Sequence, residues 1–215
     1  MSEPPNGSAG ELSPAAVSFI TTEHFTLQGA RAQTISESTG RVSIFLGAAS
    51  GGLVALGLLA TAAHIGTAFY AVALTLLPTL TFVGLVTFER VLQSGLEDFG
   101  YAARIARLRG FYFEHAPELD TYMLSVPPER RAAIQGLPHR NRWQRFLTTA
   151  WMTAVITSVL AGASVALAIA VLADHSLPAS LAGGGAVAIA LLVALTHAQH
   201  VAWTRQIELV SSLLA

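Results

Sequence analysis

Residues 147–173 read LTTAWMTAVITSVLAGASVALAIAVLA, with no charged side chain and no histidine. Crossing a hydrocarbon core takes about 20 apolar residues of helix, so this stretch is long enough to span a bilayer unaided. Working outward, residues 43–63, 67–88 and 179–196 are apolar to the same degree and also lack Asp, Glu, Lys, Arg and His. The chain therefore reads as an all-α, polytopic membrane protein with four transmembrane helices. The spans group as two hairpins, closed by short turns at 64–66 and 174–178.

Charge gives the expected topology. All twelve cationic side chains are arginines, and each lies before residue 43, between 88 and 147, or after 196. If the two short turns face outward, every arginine is cytoplasmic, as the positive-inside rule asks. The expected location is the cell (plasma) membrane of a bacterium, with both termini cytoplasmic. Composition agrees: the chain is 53% hydrophobic and 12% charged, against roughly 25% charged in soluble domains. The net charge of −1 averages over this asymmetry. Without cysteine there is no disulfide framework, thiolate nucleophile or Cys-based metal site. Residues 1–10 have neither a basic nor an apolar signal-peptide region, so the first span is expected to direct insertion.

Six segments follow. Residues 1–14 are a disordered cytoplasmic tail, rich in Pro, Gly, Ser and Glu. Residues 15–41 form a cytoplasmic helix whose small residues Thr22, Thr26, Gly29, Ala32, Ser36 and Gly40 recur at helical spacing; the other reading is a polar connector ending at Gly40 and Arg41. Residues 43–88 are the first transmembrane hairpin. Residues 89–146 are a cytoplasmic helical loop region, 147–196 the second hairpin, and 197–215 a cytoplasmic C-terminal helix. Together, the parts outside the spans make a cytoplasmic helical layer.

Within the spans, Gly47 and Gly51 have the small-xxx-small spacing that lets backbones approach in lipid, and they are the expected helix-packing positions, within the chain or between copies. Pro78 interrupts the second span beside Thr75, Thr79 and Thr81. A proline removes a backbone donor, and nearby hydroxyls can satisfy the freed carbonyl. Thr75, Pro78 and Thr79 are thus candidate pore-lining or hinge positions. Arg142, Trp143 and Arg145 before the third span, and Trp203 and Arg205 after the fourth, are expected interface anchors, because Trp favours headgroup depth and Arg stems snorkel.

Catalytic chemistry is not legible. No serine elbow, phosphate loop, dinucleotide fingerprint or zinc-protease motif is present. Glu114, His115, Glu118 and Asp120 form a solvated acidic cluster. His197 and His200 share a helix face but need a third ligand to hold a metal; His64 and His175 mark the outward turns. Ionisable residues within a bilayer usually mark proton relays or voltage sensors, and these spans have none. The expectation is no enzyme, no cofactor and no resident metal. The basic segments adjoin the membrane, so anionic lipid accounts for them and nucleic acid is not expected.

The stretches TTEHFTLQGARAQTISESTGR (21–41) and VTFERVLQSGLEDFGYAARIARLRGFY (86–112) resemble those of small uncharacterised four-span membrane proteins of high-GC actinobacteria. That resemblance covers most of the chain and implies no activity. Two functional classes are therefore expected. One is a self-associating, non-enzymatic scaffold or regulatory protein with the lipid bilayer, its own copies and a cytoplasmic protein as partners. The other is a homo-oligomeric ion channel or pore-forming effector lined by the second span.

Overall fold

The computed structural model describes residues 13–62, 66–115, 148–173 and 176–214. They form four helices: α1 (Pro14–Ala62), α2 (Thr67–His115), α3 (Thr149–Leu172) and α4 (Leu177–Leu214). Each contains a window long and apolar enough to cross a membrane. The architecture is all-helical among the described residues.

The helix starts follow local chemistry. Ser13 caps α1: its side chain accepts from the Ala16 amide at 3.2 Å, and Pro14 occupies the first helical position, where a missing N–H costs nothing. Thr148 caps α3 with extended backbone (φ −83°, ψ 145°) and accepts from the Trp151 amide. At the end of α3, the Ala173 amide closes back onto the Ile169 carbonyl at 2.8 Å.

α1 joins residues 15–41 to the first span in one helix, and α2 continues past Phe88, as the apolar face of Leu92, Leu96, Phe99, Ala103 and Ala106 predicts. α1 and α2 each have 49 residues, about 74 Å of helix at 1.5 Å per residue. α1 continues through Gly40, and the exposed Glu37–Arg41 ion pair, 2.6 Å long, spans it one turn apart. α2 runs through Gly95 and Gly100. They face α4, where Trp203 lies against Gly95 and the Gln206 amide against Gly100. α4 likewise continues from the fourth span to Leu214.

Pro78 is also accommodated within α2. The neighbouring hydroxyls behave differently from expectation. Thr75 donates to the Ala71 carbonyl and Thr79 to the Thr75 carbonyl, so neither serves the Leu74 carbonyl from which Pro78 withdraws a donor. A threonine hydroxyl reaches back three or four residues along its own helix, and these two are out of register with that carbonyl.

α2 is the central helix and packs on all three others; α1 lies along α2, and α3 along α4. One buried cluster joins Phe45, Ala49 and Leu56 of α1 to Ala73, Leu77 and Leu80 of α2 and Leu160 of α3. A second joins Val42, Phe88, Val91 and Leu92 to Ala150 and Ala154 of α3. Three hydroxylic side chains of α3, Thr153, Thr157 and Ser158, are at most 2% exposed, and Thr157 meets α2. Gly84 makes room there, since a Cβ on it would collide with Thr157 and with the Phe45 ring.

The closest approach is between α3 and α4. A Cβ on Gly162 would stand 2.6 Å from the Gly184 carbonyl oxygen, and one on Gly184 would stand 2.5 Å from that of Gly162. Ala166 and Ala188, four residues further along their helices, complete two facing small-xxx-small pairs. Gly47 and Gly51 have the same spacing but sit exposed on α1, with no atom within 4 Å of an added Cβ.

Gly184→Val should therefore force the α3–α4 backbones apart, lowering unfolding stability in detergent by about 1–3 kcal/mol. Gly185→Ala, at an exposed helical position with open space around it, should leave stability unchanged or slightly raised. Equal midpoints for the two variants would contradict the close approach.

Candidate functional site

All four helices contribute to one cavity of about 370 Å³. It lies at the Arg-bearing margin of the apolar spans: on α1 before residue 43, on α2 after 88, at the first turn of α3, and on α4 after 196. α1 supplies Thr34, Ile35, Ser38 and Thr39. α2 supplies Val91, Leu92, Ser94, Gly95 and Asp98. Thr148, Thr149 and Ala150 come from the start of α3, and Gln199 and Trp203 from α4.

Burial separates floor from rim. Thr34, Val91, Leu92, Ala150 and Gln199 are buried, whereas Ile35, Thr39 and Thr149 are exposed. The opening thus lies between α1 and the N-terminus of α3, over α2. Trp203 forms a wall, its ring held edge-on to Phe99 with centroids 5.8 Å apart.

Two polar links set the shape. Arg31 of α1 holds Asp98 of α2 through Nε–Oδ1 at 2.6 Å and Nη2–Oδ2 at 3.4 Å. Gln199 of α4 donates from Nε2 to Thr148 Oγ1 at 3.3 Å, tying α4 to the cap of α3. Its other amide atom, Oε1, is buried without a hydrogen-bond partner. Beyond the cavity, Gln206 Nε2 donates to the Leu96 carbonyl at 3.3 Å, and the His24 and Tyr112 rings meet with centroids 6.0 Å apart. These contacts place the N-terminal half of α1, the C-terminal half of α2 and the end of α4 side by side.

The residues expected from sequence are distributed elsewhere. Thr75, Pro78 and Thr79 lie together on an exposed face of α2, and Gly47 and Gly51 on an exposed face of α1. Trp203 turns inward to the cavity, while Arg205 is exposed. Arg142, Trp143 and Arg145 lie outside the described residues, as do His64, His175 and the acidic positions Glu118 and Asp120. His197 and His200 are both exposed, as are Glu89, Glu97 and Glu208. No three His, Cys, Asp or Glu side chains converge as a metal site among the described residues.

Sequence reasoning passed over Thr34, Ser94, Asp98, Thr148 and Gln199. The signal for Gln199 was slight: one amide between two histidines, a turn beyond an apolar span. It is the amide that faces inward and the histidines that face out. Neither a family model nor a curated protein nor a solved structure matches the chain.

The Arg31–Asp98 pair is partly exposed, at 43% and 27% of the side chains, so solvent screens it. A double-mutant cycle of Arg31→Met and Asp98→Asn should return a coupling of about 0.5–1 kcal/mol, weakening with salt. A coupling of zero at low salt would mean that α1 and α2 are not paired in this register.

Proposed function

We propose that the protein is a non-enzymatic, multi-pass membrane scaffold or regulatory module that self-associates. In this reading the four spans are two hairpins in the plasma membrane, with both termini cytoplasmic. The extensions of α1, α2 and α4 form a helical layer on the cytoplasmic side. One observation carries the reading: that layer leaves large apolar side chains in the open beyond the spans. Phe19 is 75% exposed and Phe25 70%, with Val17, Ile35, Ile207 and Leu209 all near or above half. Lipid tails cover exposed apolar residues inside a span, but not residues separated from it by charged turns. Large apolar side chains left open in such a position are available for contact with another protein or a second copy. The open small-residue face at Gly47 and Gly51 supports contact between copies within the bilayer.

Self-association is measurable by energy transfer between labelled copies in liposomes. Gly47→Leu with Gly51→Leu, and separately Phe19→Ser with Phe25→Ser, should each reduce transfer severalfold while leaving the unfolding midpoint in place, since all four positions are exposed. Unchanged transfer in both double variants would refute the self-associating scaffold.

A homo-oligomeric pore is the second reading, and what favours it is the exposed face of Thr75, Pro78 and Thr79 on α2. Because the chain has no cysteine, single cysteines introduced there report accessibility directly. In a pore, Thr75→Cys and Thr79→Cys react with a membrane-impermeant thiol reagent. In a scaffold whose α2 face meets lipid they do not.

A further inference from the structure

Pro78 leaves one backbone group of α2 without its helical partner. A proline has no N–H, so the Leu74 carbonyl, which points at residue 78, loses the donor that an α-helix supplies. The hydroxyls nearest in sequence are engaged elsewhere: Thr75 donates to the Ala71 carbonyl, Thr79 to that of Thr75 and Thr81 to that of Leu77. Pro78 is exposed, as are Ala71, Thr75, Thr79, Phe82 and Val86, which together make one face at helical spacing. It stands midway along the charge-free run 67–88, a depth that neither water nor a headgroup reaches. A bare carbonyl is costly there, and a neighbouring helix is a ready source of the missing donor.

The same face carries a donor at the right depth. The Thr79 hydroxyl rests on the Thr75 carbonyl at 2.7 Å, an acceptor about 1.5 Å along the axis from that of Leu74. Within an α-helix that carbonyl already takes a backbone N–H, so the hydroxyl is a second donor where one suffices. We infer that two copies of this chain meet across the α2 face at Pro78, the Thr79 hydroxyl of each donating to the Leu74 carbonyl of the other. Copies inserted in one orientation are related by a two-fold axis along the bilayer normal, which sets equal residues at equal depth. A two-fold contact is self-complementary: a face with one missing donor and one surplus hydroxyl satisfies a second copy of itself. Lipid tails supply no donor. Ala73, Leu77 and Leu80 hold α1 and α3 on other sides of α2, and this face stays open. The inference rests on the self-association proposed above and adds where in the bilayer the copies touch.

The test uses the full chain in liposomes, with Phe82→Cys on this face and Ile189→Cys on α4 as the reference; both side chains are 67% exposed, and the chain has no other cysteine. Oxidation with a membrane-permeant catalyst should join Phe82→Cys chains as dimers severalfold more than Ile189→Cys chains. In the Phe82→Cys chain, Thr79→Val keeps the shape without the hydroxyl and should cut the dimer yield severalfold, whereas Thr79→Ser should keep it. Pro78→Ala returns an N–H to the Leu74 carbonyl and should also cut the yield, with an unchanged or raised thermal midpoint. Equal yields at the two cysteines would overturn the inference; if energy transfer between copies persists, the self-associating reading survives without it. Loss of transfer in the unmodified chain would remove both. An unchanged dimer yield with either Thr79→Val or Pro78→Ala would also overturn the inference.

Discussion

The bundle depends on backbone meeting backbone at Gly162 and Gly184. In lipid, helices gain little from the hydrophobic effect when they associate, because the tails are as apolar as leucine. Dispersion and close fit must supply the attraction, and both fall away within a fraction of an ångström. Two facing glycines, each followed by an alanine one turn along, bring α3 and α4 together. Gly84 does the same for α2 against Thr157 and Phe45. Along helices set this close, the positions of their far ends are no longer free.

The cavity is a consequence of that arrangement. α3 and α4 are held at the glycine crossing and again by the Gln199–Thr148 hydrogen bond. α1 packs along α2 and is held to it beyond the span by Arg31 and Asp98. The space left between α1 and the start of α3 is floored by α2 and lined by short hydroxylic side chains. Thr34, Thr39 and Ser94 leave room because they are small, and they leave it polar because their oxygens cannot be hidden. A larger apolar residue at any of them would have filled the gap.

Much of the architecture was legible from sequence because it rests on solvation. A charge-free apolar run has one low-energy environment, and each of the four runs at 43–63, 67–88, 147–173 and 179–196 falls on its own helix. The continuation of α2 past Phe88 was legible in its apolar face, whereas the joining of residues 15–41 to the first span was less so, because Gly40 and a polar sequence fit a connector as well as a helix. Identical spacing at Gly47/Gly51 and at Gly162/Ala166 could not reveal which pair faces a neighbour within the chain, because spacing defines a face and not what lies opposite it.

By itself, then, the sequence determined the helical class, the number of apolar spans and the placement of every arginine outside them. Each of these follows from the cost of removing charge or bare backbone from water, and that cost is a property of the local chain. Only the tertiary structure decided that Gly162 meets Gly184, that Gln199 turns inward between two outward histidines, and that Asp98 reaches Arg31. Those outcomes depend on which helix faces which, and so on distances between residues far apart in the chain. No single segment contains that information.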